Sequence, residues 1–325
     1  MTTPAHPFRF SLQAFEASSA AGWVATCQRA EALGYDTLFT TDHYFGPGEI
    51  VAASGHRPVD VAPIAAMTMA AAVTSTIRVG CRVFGVDYHQ PVVLAKELAT
   101  VDFLSGGRLV AAIGAGWVKA EYDGMGIVQD RPSVRIERLA EVIQVLRAHW
   151  SGQPIDVHGK HVRVGGFEGR PLPAQSRIPL MIGGGAEKIL TLAGQQADIV
   201  SFNFNNAAGT LGAGSVATST EEQTMQKLAW VREAAGDRFA ELELEIGAYF
   251  IAVTDDQATA AGAIGGRFGV DAAAILSHPH AYIGSVDQIC ATLIERRERF
   301  GFSNFCIAQR HLEEFAPVVA RLAGH

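Results

Sequence analysis

The stretch TIRVGCRVFGVDYHQPVVLAKELATVDFLSGGRLVAAIGAGWVKAEYDGMG, residues 76–126, decides the fold of this chain. Two apolar segments rich in β-branched residues, 77–84 and 109–113, flank a helical pattern that begins at Pro91, a residue favoured in the first turn of a helix. Each segment ends in small residues that let the backbone approach a flat ligand. The order strand, helix, strand and glycine-rich exit predicts a βαβ unit with a site at the carboxyl ends of its strands.

Strand-like and helix-like segments continue to alternate along the whole chain. Further strands are predicted at residues 8–12, 37–41, 178–182, 197–202, 242–253 and 304–308. About eight strands separated by helices, with no break in composition, predict a (β/α)8 TIM barrel formed by residues 1–325 as a single domain. A doubly wound open sheet is the competing arrangement, but no GxGxxG sequence follows the first strand to support it.

Two segments are predicted to be insertions into this pattern. Residues 154–167 alternate in polarity about His158 and Gly159, which predicts a β-hairpin. Residues 207–219 are rich in Gly, Ala, Ser and Thr and show no periodicity, and a loop of that length is usually a lid or disordered. A lid that closes over the site is therefore a hypothesis for this segment.

Composition and charge restrict the classes of protein to which the chain can belong. Its 325 residues are 48% hydrophobic and 18% charged, which is typical of a globular chain with a large core. A net charge of −7 and a pI of about 5.9 argue against a nucleic-acid partner. No two of the four cysteines form a CxxC pair. The N-terminal sequence has no signal-peptide pattern. The apolar run 61–73 is too short to span a bilayer. We therefore expect a cytoplasmic protein with reduced cysteines that acts on a small molecule.

The pair Asp42 and His43 follows the second predicted strand, at the end where barrel enzymes place their active sites. Histidine exchanges protons near neutral pH, and an adjacent carboxylate can orient an imidazole ring. The alternative is structural, with Asp42 capping a turn and His43 packed beneath it. Both residues are candidate catalytic residues.

Three glycines, Gly183, Gly184 and Gly185, lie between the fifth predicted strand and a helix. Main-chain N–H groups that no side chain obstructs form an anion site at a helix N-terminus. Lys188 would favour an anion there and Glu187 would not, and a flexible turn is the alternative interpretation. The glycines are candidates for binding a phosphate group.

We interpret three other polar residues of the stretch 76–126 as structural. His89 stands at a helix start, and Glu121 and Asp123 are interpreted as solvated loop acids. No HExxH, GxSxG, Walker A or spaced Cys/His set occurs in the sequence, which disfavours metal-dependent or serine hydrolysis and P-loop chemistry. A metal cluster built from Asp42 and nearby histidines can be imagined but is not expected, so no metal ligand is predicted.

In the stretch 76–126 and in others along its length, the chain resembles the bacterial luciferase-like monooxygenase superfamily, and more closely its coenzyme F420-dependent branch. Besides the run from residue 76, the matching stretches include ALGYDTLFTTDHYF, IPLMIGGGAEKILTLAGQQADIV and YIGSVDQICATLIERRERFGFSNFCI. They extend from the second predicted strand to the last. The resemblance implies a (β/α)8 barrel that holds a flavin or deazaflavin at the carboxyl ends of its strands.

The resemblance also implies roles for particular residues. Asp42 and His43 would lie near the cofactor and the substrate, and a bulge with a non-prolyl cis peptide bond, at Arg82–Val83, would support the ring system. Eight residues would contact the cofactor: Arg82, Val83, Ala115, Gly116, Trp117, Gly183, Gly184 and Gly185. Among them, the three glycines would take its phosphate.

One departure from the family pattern concerns the substrate. The sugar-phosphate dehydrogenases of the branch carry a Glu, their proposed proton donor, where this chain has Trp117. The absence of that Glu argues against glucose 6-phosphate oxidation. The tryptophan also makes the pocket more apolar, which favours a hydrophobic or aromatic substrate.

The functional prediction is an F420-dependent oxidoreductase that transfers a hydride between the deazaflavin and a small hydrophobic substrate. An FMN-dependent monooxygenase that uses oxygen is the alternative on the same fold. A non-catalytic member of the superfamily and an isomerase barrel without a redox cofactor are the remaining alternatives. Lys188, Arg170 and Arg177 would favour the long anionic tail of F420 if they lay near the phosphate. Homodimers are common in the family, so a homodimer is expected.

Overall fold

The computed structural model describes residues 6–325, so the first five residues of the N-terminal sequence interpreted above lie outside the described part. The strands, in chain order, are β1 (Arg9–Gln13), β2 (Thr37–Thr40), β3 (Arg78–Cys81), β4 (Phe84–Gly85), β5 (Leu109–Gly114), β6 (Pro154–His158), β7 (Arg163–Glu168), β8 (Leu180–Gly184), β9 (Ile199–Phe202), β10 (Glu243–Ala248), β11 (Phe250–Val253), β12 (Ala281–Gly284) and β13 (Phe302–Ala308). The helices are α1 (Ala20–Ala32), α2 (Glu49–Ser54), α3 (Pro63–Val73), α4 (Pro91–Ser105), α5 (Lys119–Met125), α6 (Pro132–Trp150), α7 (Glu187–Gln196), α8 (Ala213–Val216), α9 (Glu221–Ala235), α10 (Gln257–Gly266), α11 (Ala272–Ser277), α12 (Val286–Phe300) and α13 (Ala316–Leu322).

Eight parallel strands close into a barrel. Their hydrogen-bonded order is β1, β2, β3, β5, β8, β9, β10 and β13, and β13 pairs again with β1. The pairing of β3 with β5 is short, with Val79 opposite Leu109 and Gly80 opposite Val110. Beyond Arg82 and Val83 the chain resumes as β4, which pairs with the end of β5. The predicted (β/α)8 TIM barrel is confirmed.

Alternate side chains along the barrel strands enter two different cores. One set fills the barrel interior: Phe39, Val110, Ala112, Met181, Ile199 and Cys306. The other set packs against the surrounding helices and includes Leu38, Ala111 and Ile182. Because both faces of β5 are fully buried, its sequence shows an apolar run rather than an alternation.

Charged and polar side chains close the amino end of the barrel. Arg9 and Arg78 both pair with Asp36, and Arg9 Nε lies 3.6 Å from Glu243 Oε2. Asn304 Nδ2 donates a hydrogen bond of 2.6 Å to Glu243 Oε1. This network blocks the amino end and leaves the carboxyl ends of the strands for a ligand cavity.

Several segments differ from the sequence predictions. The predicted strand 242–253 breaks at Tyr249, because Tyr249 and Phe250 both donate their main-chain N–H to the carbonyl oxygen of His280. Its second half, β11, pairs with the unpredicted β12 instead of joining the barrel. The segment 207–219 is not structureless, since it contains α8 and a 3-10 helix at Ala217–Ser219. The short helices α2 and α5 carry too little periodicity to be predicted.

Two smaller predictions are confirmed. β6 and β7 form the antiparallel hairpin that the sequence predicts. The four cysteines are buried and free: Cys27, Cys81, Cys290 and Cys306. Within residues 6–325, we find no helix with the length and apolar character needed to cross a membrane.

Gly80 lies where β3 approaches β2 and β5 most closely. A Cβ atom at this position would stand 2.6 Å from Phe39 Cε1 and 2.6 Å from the carbonyl oxygen of Val110. Because a backbone carbonyl in the barrel cannot rotate away, we expect Gly80→Ala to lower the free energy of unfolding by about 1–3 kcal/mol. Denaturant unfolding followed by far-ultraviolet circular dichroism measures this change.

Gly262→Ala is the matched control for this substitution. Gly262 lies inside α10, and a Cβ atom there would meet nothing within 4 Å. Alanine should therefore raise the free energy of unfolding by up to about 1 kcal/mol, because it favours the helix. If Gly80→Ala were as stable as the wild type, the close approach of the three strands would be wrong.

Candidate active site

A cavity of about 560 Å3 opens at the carboxyl ends of the barrel strands. Each of the eight barrel strands contributes a lining residue at its carboxyl end or directly after it. The residues that line the cavity include all those predicted from the sequence to act in catalysis or to contact the cofactor: Asp42, His43, Arg82, Val83, Ala115, Gly116, Trp117, Gly183, Gly184 and Gly185. The fold thus brings together residues that lie far apart in the sequence.

His43 is held by a buried carboxylate. Its Nδ1 lies 2.6 Å from Glu121 Oε2, and Glu121 is only 1% exposed. The same carboxylate accepts hydrogen bonds from Tyr44 N at 2.7 Å and from the Tyr88 hydroxyl at 3.1 Å. Because Glu121 acts as a hydrogen-bond acceptor in these contacts, we assign His43 Nδ1 as the donor, which leaves Nε2 as the ring nitrogen available to a ligand.

The interpretation of Glu121 as a solvated loop acid is wrong. Glu121 lies on the inner face of α5, whereas Asp123 on the same helix is exposed and pairs with Lys119. The sequence holds one signal for this arrangement, because an ion pair between positions 119 and 123 places the residue midway between them on the opposite face. Glu121 is therefore a residue of the site that the sequence interpretation missed.

Asp42 has different partners from His43. Its Oδ2 accepts a hydrogen bond of 2.8 Å from Gly85 N and lies 2.8 Å from His89 Nε2. Asp42 is 2% exposed, so its carboxylate is enclosed by the main chain that follows the third barrel strand. His89 is therefore more than a helix start, because it is the side-chain partner of Asp42.

Arg82 enters the barrel interior. Its Nε donates to Glu245 Oε1 at 3.0 Å, and its Nη2 donates to Asn203 Oδ1 at 2.9 Å and to Ser201 Oγ at 3.2 Å. Burial by itself would lower the pKa of Arg82, but the Glu245 carboxylate more than compensates and holds that pKa well above its ordinary value. The Arg82–Val83 peptide bond is cis, which confirms the expectation drawn from the family resemblance.

Val83 forms the floor of the cavity between β5 and β8. A Cβ atom added to Gly114 would lie 2.6 Å from Val83 Cγ2, and one added to Gly183 would lie 3.4 Å from Val83 Cγ1. These two glycines therefore make room for the valine side chain. The result is an apolar surface above the polar layer of Arg82 and Glu245, and a planar ring system fits such a floor.

The glycine run after β8 is required by packing within the protein itself. A Cβ atom at Gly184 would lie 2.3 Å from Ile189 Cγ2, and one at Gly185 would lie 2.2 Å from the carbonyl oxygen of Phe204. The N-cap residue of the following helix α7 is Ala186, whose side chain makes no capping hydrogen bond. The first N–H groups of α7 thus lack a side-chain acceptor beside the cavity, which suits an anion.

Aromatic rings enclose His43. The ring centroid of His56 lies 4.7 Å from that of His43, and the centroids of Phe45 and Trp117 lie at 5.3 and 5.8 Å. Burial, together with the neighbouring His43 ring, lowers the pKa of His56 to about 4, so His56 is neutral at pH 7. In the part of the chain that the structure describes, no three His, Cys, Asp or Glu side chains come close enough to hold a metal ion.

The segment predicted as a lid lies at the mouth of the cavity. Leu211 N donates a hydrogen bond of 2.8 Å to the carbonyl oxygen of Ser54, so the segment meets the end of α2. Its far end is anchored by Lys227, whose Nζ donates to Asn203 O at 2.7 Å and to Ser219 Oγ at 2.5 Å. That the segment opens and closes stays a prediction.

The three basic residues considered for an anionic tail lie in different places. Lys188 is exposed in the first turn of α7, beside the glycine run. Arg170 is exposed in the segment that leads to β8 and does not line the cavity. Arg177 pairs with Asp198, just before β9, and so lies at the amino end of the barrel. Of the three, Lys188 alone is positioned near a phosphate bound at α7.

The chain belongs to the luciferase-like monooxygenase family, whose model matches residues 5–289. It is 31% identical over 185 residues to an uncharacterized protein of Mycobacterium tuberculosis, a match that covers 54% of this chain and 64% of that protein. A 5,10-methylenetetrahydromethanopterin reductase of Archaeoglobus fulgidus is 29% identical over 177 residues, covering 54% and 47% of the two chains. The pyrimidine monooxygenase RutA of a Bradyrhizobium species is 29% identical over 238 residues, covering 72% and 61%. The chain thus spans less than two thirds of the length of these relatives.

Solved structures share the fold over nearly the whole chain. The coenzyme F420-dependent tetrahydromethanopterin reductase from Methanopyrus kandleri has a TM-score of 0.75 at 18% identity, covering 98% of this chain and 100% of the other. Riboflavin lyase, solved with modified FMN and riboflavin, has a TM-score of 0.72 at 15% identity, covering 98% and 93%. At these identities the structures show the fold alone, which is the luciferase-like barrel.

Glu121→Gln keeps the shape of the side chain and removes the charge that holds His43. We expect the variant to lose the single Nδ1-protonated tautomer of His43, and to lose about 1–3 kcal/mol of stability because buried donors are left without their acceptor. Long-range 1H–15N NMR of the imidazole ring distinguishes the tautomers.

Asp123→Asn is the matched control, because Asp123 lies on the same helix and its side chain is exposed. Its His43 spectrum should equal that of the wild type. An unchanged His43 tautomer in Glu121→Gln would show that Glu121 does not set the protonation of the ring.

Proposed function

We propose that this chain is an F420-dependent oxidoreductase that transfers a hydride between the deazaflavin and a small, apolar organic substrate. One observation carries the proposal: the apolar floor at Val83, the helix N-terminus of α7 and the free Nε2 of His43 face one cavity. The likeness to a reductase solved as F420-dependent supports the choice of cofactor.

The residues on the cavity floor suit a planar cofactor with a phosphate. Val83 would support the face of the ring, and Ala115, Gly116 and Trp117 would line its edge. The phosphate would accept hydrogen bonds from the free N–H groups after the glycine run, at the start of α7. When bound, the deazaflavin supplies the hydride-transfer chemistry.

His43 supplies or takes up the proton that accompanies the reaction. Glu121 holds the ring by Nδ1, so the exchange takes place at Nε2. Trp117, His56 and Phe45 surround the imidazole and exclude water from it. The same rings favour a substrate with a hydrophobic or aromatic body.

An FMN-dependent monooxygenase that uses oxygen is the second candidate. The similarity to the pyrimidine monooxygenase RutA and the shared fold of a lyase solved with modified FMN favour it. Both cofactors combine a tricyclic ring with a phosphate, so the floor and α7 fit either. They differ in the anionic tail of F420, which Lys188, exposed in the first turn of α7 after the glycine run, would favour.

We also propose that residues 1–325 form one domain in a cytoplasmic protein. The main hydrophobic core is continuous from β1 to α13 and surrounds a single barrel. Four free, buried cysteines suit a reducing compartment.

Titration of the apo-protein with F420 and with FMN, followed by fluorescence, tests the cofactor assignment. We expect F420 to bind more tightly than FMN. Ala186→Asp would place a carboxylate at the N-cap of α7, where it accepts the free N–H groups and repels the phosphate, so it should weaken binding about tenfold or more. Gly184 is unsuited to this test because any side chain there collides with Ile189.

Ala186→Asn is the matched control, because asparagine caps the helix equally well without a charge. It should bind the cofactor more tightly than Ala186→Asp at equal stability. Equal binding by the two variants would place the phosphate elsewhere. A preference for FMN would favour the monooxygenase, and binding of neither cofactor would overturn the redox assignment.

We propose further that the protein is a homodimer formed through α3 and α4, two helices that pack side by side. Large apolar side chains on these helices are exposed: Met69 at 42%, Val93 at 53%, Phe103 at 57% and Leu104 at 66%. Exposed apolar side chains of this size on two adjacent helices are typical of an interaction surface.

The double substitution Phe103→Glu and Leu104→Glu should convert the dimer to a monomer, because charges resist burial at an apolar interface. Size-exclusion chromatography with light scattering measures the mass. Val128→Glu, at a residue that is 78% exposed and outside these helices, is the control and should leave the mass unchanged. A monomeric wild type would contradict the proposal.

A further inference from the structure

Four arginines line the cavity, and three of them are engaged by acceptors of the protein. These three are Arg82, bound by Glu245 at 3.0 Å; Arg135, which donates to the carbonyl oxygens of Ala115 at 2.8 Å and Gly116 at 2.6 Å; and Arg57, bound by Glu16 at 2.7 Å. The fourth, Arg310, follows β13 and makes no hydrogen bond or ion pair with any residue from 6 to 325. Its guanidinium is therefore available to a ligand.

Arg310 and His43 belong to the same wall of the cavity. Gln309 Oε1 accepts hydrogen bonds from Phe15 N at 3.3 Å and Glu16 N at 3.2 Å, which places Arg310 beside the segment after β1. The Phe15 ring centroid lies 5.6 Å from that of His56, which lies 4.7 Å from that of His43. An aromatic surface thus runs from the arginine to the imidazole.

This wall is remote from the proposed phosphate site. The glycine run and α7 follow β8, which is three steps around the closed barrel from β13, the strand that Arg310 follows, and four steps from β1. An anion at Arg310 and a phosphate at α7 would therefore occupy opposite sides of the cavity. Two separate anionic groups can be bound at once.

The charges around Arg310 leave its own charge unpaired. Two carboxylates stand nearby, Glu16 beside Arg57 and Glu314 beside His311, and neither forms an ion pair with Arg310. Arg310 is exposed overall. Its partial desolvation, together with the Arg57 guanidinium, outweighs Glu16 and Glu314 and lowers its pKa, although the group stays protonated at neutral pH. A planar guanidinium with free donors is well matched to a carboxylate, phosphate or sulfonate.

We propose that Arg310 binds an anionic group of the substrate, whose flat apolar body lies along Phe15 and His56 and whose reacting group lies within reach of His43 Nε2 for the proton exchange. The substrate class is then an apolar organic acid. This inference rests on the proposed function for the role of His43. The anionic tail of F420 is a second source of the same chemistry, and the test separates the two.

The probes are 2-naphthoate and 2-naphthamide, which share one ring system and differ in charge. Calorimetric titration measures both, in the apo-protein and in the protein saturated with its cofactor. We expect the wild type to prefer the acid, and Arg310→Gln to weaken binding of the acid about tenfold while leaving the amide unchanged. Arg310→Lys should keep part of the preference for the acid that Arg310→Gln loses, because lysine carries the positive charge but lacks the parallel N–H donors of the guanidinium.

Arg163→Gln is the matched control, since Arg163 is an exposed arginine on β7 that does not line the cavity. It should bind both probes as the wild type does. Equal affinity of the wild type for acid and amide, or an undiminished preference in Arg310→Gln, would overturn the proposal. A third result would also overturn it: Arg310→Gln binds F420 more weakly, while its affinity for FMN and its preference for the acid stay unchanged. Arg310 would then bind the anionic tail of F420. Failure of the wild type to bind either cofactor would count against the proposed function. It would not affect the test of Arg310, because the preference for the acid is also measured in the apo-protein.

Discussion

The buried ion pair between Arg82 and Glu245 sets the floor of the cavity, and the site above depends on it. Because the Arg82 side chain turns into the barrel, the next residue, Val83, lies between β5 and β8 at the cavity floor. Arg82 also binds Asn203, which accepts a second hydrogen bond from Tyr249, so the ends of β3, β9 and β10 are tied together. Removing one partner of such a pair leaves an uncompensated buried charge, at a general cost of about 3–5 kcal/mol.

Two carboxylate–histidine pairs stand above this floor and have different functions. Asp42 Oδ2 contacts His89 and accepts a hydrogen bond from Gly85 N, which ties it to the main chain after Val83, while Asp42 also lines the cavity. Glu121 instead holds the ring of His43 by one nitrogen and leaves the other available. The neighbouring residues Asp42 and His43 therefore belong to separate hydrogen-bond networks, although both line the cavity, and a catalytic role for Asp42 stays a prediction.

The cavity combines an apolar interior with positive charge at two opposite sides. The start of α7 offers N–H groups without a side-chain acceptor, and Arg310 offers a guanidinium without a carboxylate partner within residues 6–325. Between them lie Val83 on the floor and the aromatic rings near His43. Such an arrangement suits two ligands that each carry an anionic group and that meet over the floor.

The sequence by itself determined the barrel and the end of it that holds the site. Apolar runs, helical patterns and small residues at strand ends are local features, and they placed Asp42, His43 and the glycine run at the carboxyl ends of their strands. Only the tertiary structure decided which side chains meet there. Glu121 reaches His43 because α5 packs its inner face on the loop after β2, and Arg310 joins the same wall because β13 closes the barrel against β1. Such contacts arise from long-range strand pairing and helix packing, which no local periodicity encodes.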